Sequence, residues 1–311
     1  MLRLLLLALA LIIAIGPARA QTIDKDRELY AAITRQVDLG EPYYRAATDL
    51  QRANGYPVRP FYTVRPPTLT WLAATVGPLG LVILAYAAVL VGVFGAMQGI
   101  EDRRQRLTFV ALYAVASGAI VSPASLQFTE LWCGLLASAA LCWTNWRTRL
   151  ALAAAAALFR EFGALLICAI LAFAILAGKR REAAWAAAAL VVLGALLYLH
   201  AQAVLSYAMT GDPASQGWFA LRGPAGLVSD LAKVTAYGFL PAWAIYAAVV
   251  LSLIGWLRRS PLTGIWLGGF SLTVMVASRP DNYYWAQVLM PLLPAGLAFL
   301  IPRQRPSPIT P

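Results

Sequence analysis

Residues Gln21–Thr70 read QTIDKDRELYAAITRQVDLGEPYYRAATDLQRANGYPVRPFYTVRPPTLT. This polar stretch stands between a short hydrophobic first segment and a remainder that is apolar almost throughout. It holds Asp24, Asp26, Glu28, Asp38, Glu41 and Asp49, six of the fourteen acidic residues in the 311-residue sequence. When a membrane protein gathers its carboxylates in one loop directly after its first hydrophobic segment, chemistry at the membrane surface is the expectation.

Composition fixes the class. The sequence is 60% hydrophobic and only 13% charged, against about 25% charged in a soluble domain. The expected fold is all-α and integral to the membrane. No second polar block is long enough to fold alone. The net charge of +11 does not make a nucleic-acid binder, because the basic residues lie in small clusters between apolar runs, where they set topology. Cys133, Cys142 and Cys168 all sit in hydrophobic stretches, show no metal-ligand spacing, and read as small packing residues.

At the start, residues 4–15 (LLLLALALIIAI) precede an Ala-Arg-Ala sequence, Ala18 to Ala20. Residues 1–20 therefore read as a signal peptide or a signal-anchor, with the retained anchor favoured. Either places the 21–70 loop outside. The polytopic membrane domain is then 71–302, with 303–311 a cytoplasmic tail.

Apolar segments of spanning character fall near 71–97, 107–122, 124–143, 150–178, 183–202, 237–257, 261–278 and 283–301. Between them lie Arg103, Arg104 and Arg106; Arg147 and Arg149; Lys179, Arg180 and Arg181; Arg258 and Arg259; and Arg303 and Arg305. With Arg3 these clusters should all be cytoplasmic. A single crossing at 150–178 breaks that rule. Its sequence, LALAAAAALFREFGALLICAILAFAILAG, carries Arg160 and Glu161 at the centre. A hairpin of two helices with that pair at the outer turn restores the rule and gives about ten membrane helices or half-helices. Ionisable residues at such depth are functional candidates. Adjacent residues on a helix do not face each other, so each is expected to have its own partner.

Four polar elements then share the outer side: the 21–70 loop, Arg160-Glu161, residues 203–236, and Ser278 to Trp285. In the loop, Asp26–Gln36 supports a helix with Leu29, Ile33 and Val37 on one face. A second helix from Pro42 to Ala53 follows, and Arg59–Pro67 should be extended. Such helices with nearby tyrosines would lie on the membrane interface. A nucleophile elbow, a Walker loop, a zincin motif and a kinase set are all lacking. His200, the single histidine, ends an apolar helix and reads as packing or interfacial.

Taken together, several motifs carry a resemblance. They are Asp26-Arg27-Glu28-Leu29-Tyr30, Gly40-Glu41-Pro42-Tyr43-Tyr44, Gly55-Tyr56-Pro57-Val58-Arg59-Pro60-Phe61 and Val64-Arg65-Pro66-Pro67-Thr68-Leu69. Phe159-Arg160-Glu161-Phe162-Gly163 and Arg279-Pro280-Asp281-Asn282-Tyr283-Tyr284-Trp285 complete the set. This combination resembles the bacterial GT-C-type integral membrane glycosyltransferases, in a branch linked to cell-surface glycopolymers.

The resemblance implies transfer of a sugar from a polyprenyl-phosphate-linked donor to an envelope glycan or lipid acceptor, on the outer face of the bacterial inner membrane. It implies Asp26 as general base, with Asp24 its rival, and Arg160 on the donor phosphate. The chemistry agrees: a carboxylate takes the acceptor proton, and cations stabilise the leaving lipid phosphate. Arg65 and Arg279 are the helpers, since guanidinium binds phosphate oxygens in pairs. Glu161, Tyr43, Tyr44, Tyr284 and Asn282 are substrate-binding candidates, and Trp285 could stack on a sugar or anchor at the interface. A nucleotide cofactor is not called for. A divalent cation stays open, because no second carboxylate is evidently paired with Asp26. Nucleic acid is not a partner. Two rivals stand beside this reading. A transporter or flippase of lipid-linked sugars calls for midplane ionisable residues and repeated halves, neither of which is visible. A non-catalytic subunit of an envelope assembly complex would leave Asp26 dispensable.

Overall fold

A computed structural model describes residues 25–303. The signal or anchor segment 1–20, Asp24 and the tail beyond Arg303 lie outside the described residues. Among those described, the chain is helical, with one isolated bridge, Arg59 to Ala214, in place of any strand.

The polar loop folds as two helices. The first, α1 (Lys25–Asp38), buries Leu29 and Ile33 four residues apart, with Val37 packed beside them. Pro42 sits immediately before α2 (Tyr43–Ala53), where its missing N–H costs nothing. With Val58, Val64 and Val204 they close a small core of their own, separate from the main one. The segment expected to be extended, Arg59–Pro67, contains a single 3-10 turn at Phe61–Thr63. The Thr63 N–H and hydroxyl both donate to the Pro60 carbonyl, which closes that turn.

The apolar remainder forms the bundle. It comprises α3 (Thr68–Gly99), α4 (Arg103–Ile120), α5 (Thr129–Cys142), α6 (Trp146–Phe159), α7 (Phe162–Leu176) and α8 (Arg180–Leu205). After an irregular stretch come α9 (Gly223–Val234), α10 (Ala242–Arg259) and α11 (Pro261–Ala277). Helix α3 kinks at Gly77, whose φ of 67° leaves the helical region just before Pro78. Helix α5 is the axis of the bundle, with thirteen of its fourteen residues buried. The 203–236 region, read from sequence as one of the polar outer elements, contains α9, which buries Leu227, Val228, Leu231 and Val234 in the main core.

Segment 150–178 divides into α6 and α7, and the break falls on Arg160 and Glu161. The two helices pack on each other. Gly163 permits the tight return: a Cβ there would lie 2.3 Å from the Ala157 nitrogen. Fourteen residues in α6 rise about 21 Å, short of the roughly 30 Å hydrocarbon core. The last expected segment, 283–301, is likewise broken. A 3-10 stretch (Pro280–Leu289) and a helical run at Leu292–Leu300 meet at 44°, where Pro291 and Pro294 cannot continue a regular ladder.

Among the described residues, three helices have the length and apolarity to cross a bilayer: Phe61–Gly99, Arg180–Leu205 and Ala242–Arg259. The bent C-terminal pair makes four if it is one span. The expected count of about ten includes shorter pieces such as α5, α7 and α11. Exposed Leu79, Ile83, Leu176, Val191, Trp243 and Leu272 give the bundle the apolar exterior of an integral membrane protein. The turns carrying Arg103, Arg149, Arg259 and Arg303 gather at one end of the bundle. The 32-residue α3 separates that end from the one bearing the polar loop.

Candidate active site

At the polar end a cleft of about 360 Å³ takes its walls from all four polar elements. Asp26, Tyr30, Tyr56, Tyr62 and Arg65 come from the first loop; Arg160 from the hairpin tip; Ser215, Gln216 and Trp218 from the stretch before α9; and Arg279, Asp281, Asn282, Tyr284 and Trp285 from the last.

Each residue is placed by a local cause. Asp26 stands in the first turn of α1. Gly55, at φ 72°, reverses the chain after α2, so that the Tyr56 N–H returns to the Gln51 carbonyl. The Tyr56 hydroxyl then donates to Asp26 Oδ1 at 2.6 Å. Arg65 follows buried Val64, and its carbonyl accepts from the Tyr43 hydroxyl at 2.6 Å. Arg160 ends α6 in an extended conformation, φ −151° and ψ 134°, which turns its side chain out of the helix and into the cleft wall. It is 1% exposed and lies 4.7 Å above the Phe162 ring. Arg279 pairs with Asp281 at 2.8 Å and reaches the Gly217 carbonyl. Burial pushes the Tyr30 hydroxyl up from its ordinary value, and the residue lines the cleft.

The arginines do not stand alone. Glu130, in the first turn of α5, is 1% exposed. Its Oε1 lies 2.9 Å from Arg160 Nε and 3.3 Å from Arg65 Nη2. Arg160 also pairs with Glu161 at 2.9 Å. The sequence expectation that these neighbours take separate partners fails here, because the chain is not helical at Arg160 and the two side chains turn toward each other. Glu130 escaped the sequence reading. It is a lone acid opening an apolar run, Thr129-Glu130-Leu131-Trp132, and a carboxylate about to be buried needs a cation. That was the available signal.

Other candidates divide. Tyr284 and Asn282 line the cleft, with the Tyr284 hydroxyl donating to Asn282 Oδ1 at 3.2 Å and its ring stacked on Phe128. Tyr43 and Tyr44 do not line it. Tyr43 is buried against the Arg65 backbone, while Tyr44 meets His200 Nδ1 at 3.2 Å. His200 also contacts the Val64 carbonyl, in keeping with a packing role. Trp218 and Tyr62, not singled out from sequence, form an aromatic wall with Trp285; ring centres are 4.6 Å and 6.1 Å from Trp218. Among the described residues, no three His, Cys, Asp or Glu side chains converge as a metal cluster.

The wall before α9 is fixed to the first loop. The Val58 and Arg59 N–H groups donate to the Pro213 carbonyl, and Arg52 Nε donates to Asp212 at 2.6 Å. On its far side, Arg222 grips fully buried Asp230 with two bonds of 2.8 Å. The arrangement can hold an anionic group against arginines while one carboxylate faces the same space.

The architecture has a counterpart among solved structures. The crystal structure of ArnT from Cupriavidus metallidurans bound to undecaprenyl phosphate matches 96% of this chain with a TM-score of 0.62 and 16% sequence identity. At that identity the likeness is one of fold, and this chain spans 59% of the length of that one. No family model matches the sequence, and neither does any curated protein.

Proposed function

We propose that this protein is a membrane glycosyltransferase that moves a sugar from a polyprenyl-phosphate donor to an envelope glycan or lipid acceptor, on the extracytoplasmic face of the bacterial inner membrane. One observation carries the reading: Asp26, Arg65, Arg160 and Arg279, from three separate parts of the chain, line a single cleft at the end of the bundle away from the basic turns. The fold shared with ArnT supports it, and so does the undecaprenyl phosphate bound there. The charge rule supports the outer face for this end.

In this reading the donor phosphate lies against Arg160 and Arg65, with Arg279 a further cation lining the same cleft. The acceptor hydroxyl faces Asp26, which takes its proton as the oxygen bonds to the sugar's anomeric carbon. The bond from that carbon to the phosphate oxygen breaks, and polyprenyl phosphate leaves with the electron pair, its growing charge met by guanidinium donors already in place. Tyr56 orients Asp26. The Tyr62–Trp218–Trp285 wall offers apolar ring faces to the sugar. Asn282 and Tyr284 supply hydroxyl and amide partners for it.

Incubating purified protein with a polyprenyl-phosphate sugar labelled in the sugar tests the proposal. Label passing to a glycan or lipid acceptor, with release of polyprenyl phosphate, is expected. Retention of all label on the donor, across hexosyl and pentosyl donors, would refute it.

A further inference from the structure

Glu130 contributes nothing to the scheme above as a reacting group: it is fully enclosed, and it does not line the cleft. Yet one of its oxygens touches both arginines assigned to the phosphate. Those arginines stand on weak supports. Arg65 lies on the coil after a 3-10 turn, and Arg160 on a two-residue break between helices. Glu130 stands on α5, the most enclosed helix of the bundle, its other oxygen accepting from the Thr129 hydroxyl at 3.1 Å.

We infer that Glu130 is the positioning residue of the phosphate clamp: it registers the Arg65 and Arg160 guanidiniums to one rigid point, so that their remaining donors face one phosphate. The inference rests on the transferase reading. Two guanidiniums brought together repel each other, and a carboxylate touching both offsets that repulsion before substrate arrives. It also holds long, rotamer-rich side chains in one geometry, the kind of order that a reaction rate depends on. A bound phosphate and Glu130 then sit on opposite sides of the same pair of cations. The two anions oppose each other's binding, so the clamp gains geometry at some cost in affinity.

That trade makes the role separable from scaffolding. Glu130→Gln keeps the shape and removes the charge. Turnover should fall about tenfold to a hundredfold through lost registration. Polyprenyl phosphate, free of sugar, should bind at least as tightly as to the unaltered protein, since an opposing charge is gone. It should also raise the melting temperature of Glu130→Gln by more than that of the unaltered protein, because it supplies the missing counter-charge. Glu130→Asp, which keeps the charge, should recover part of the turnover.

The experiment measures kcat and KM with a polyprenyl-phosphate sugar, binding of polyprenyl phosphate alone, and melting temperature, in full-length protein. Glu130→Gln with unaltered kcat overturns the inference. Loss of polyprenyl-phosphate binding together with kcat also overturns it, for that marks a residue that only holds the fold. If Glu130→Gln does not fold, Glu130→Asp decides: lowered kcat with retained binding supports positioning, and unchanged kcat refutes it. Arg160→Ala keeps the two failures apart. If it transfers sugar like the unaltered protein, the phosphate clamp itself is wrong. If it is inactive beside a fully active Glu130→Gln, only the role of Glu130 falls.

Discussion

The Tyr56 hydroxyl donates to Asp26 Oδ1 across 2.6 Å, joining residues thirty positions apart at the rim of the cleft. The bond exists because Gly55 turns the chain back on α1, and it fixes which way the carboxylate faces. Replacing Tyr56 by Phe removes the donor and little volume. Turnover is expected to fall about tenfold to a hundredfold, the worth of one hydrogen bond to a charged group, with KM for the donor little changed. Steady-state kinetics of the variant check this.

Gly163 sets the hairpin that presents Arg160. Alanine gains up to about 1 kcal/mol of helix propensity over glycine. Its Cβ, however, would lie 2.3 Å from the Ala157 nitrogen and 2.6 Å from its Cα, backbone atoms that cannot step aside alone. Overpacking of this kind costs about 1–3 kcal/mol, so the clash wins. Gly163→Ala should lower the melting temperature, and it should weaken polyprenyl-phosphate binding as Arg160 is displaced.

The strap before α9 has its own pH signature. The hydrogen bond from Arg52 holds the Asp212 carboxyl below its ordinary value, and the same bond raises Arg52. A carboxyl lowered by folding stabilises the folded state fully above its unfolded value of about 3.9, and that contribution is lost as pH falls through the lower folded value. Protection of the amides at residues 209–215, taken relative to their intrinsic exchange at each pH, should therefore persist from neutral pH down to about 4 and fall below it. Asp212→Asn should show fast exchange at neutral pH. Equal exchange in the two proteins would remove the pin from the account.

Trp218 faces the cleft between Tyr62 and Trp285. Trp218→Ala should raise KM for donor or acceptor about twofold to tenfold, the range of one aromatic contact, and leave kcat within about threefold. This is the pattern of binding shared by ground and transition states. A large fall in kcat alone would assign Trp218 to the chemistry instead.

Much of this was legible in the sequence because it rests on periodicity and charge. Leu29, Ile33 and Val37 at helical spacing gave α1, and Pro42 marked the start of α2. The parity of basic clusters required a break at Arg160, where the chain does break. The convergence of Asp26, Arg65, Arg160 and Arg279 followed from placing four polar elements at one end. What was hidden depends on three-dimensional contact. Glu130 lies in an apolar run, and its importance is set by two arginines 65 and 30 residues away. Tyr43 and Tyr44 carry the same chemistry as Tyr56 and Tyr62, yet only the latter pair lines the cleft, because the turn at Gly55 decides which rings point there. Helix α9 is short and flanked by polar residues, so its buried face was masked by its surroundings.

The central claim is that Asp26 is the base on the acceptor, and the most direct test is sugar transfer by Asp26→Asn. The substitution keeps size and a hydrogen-bonding partner for Tyr56 while removing the proton acceptor. With a polyprenyl-phosphate sugar and a competent acceptor, transfer should fall by about a hundredfold or more, with polyprenyl-phosphate binding and melting temperature unchanged. Transfer by Asp26→Asn at the rate of the unaltered protein would contradict the assignment.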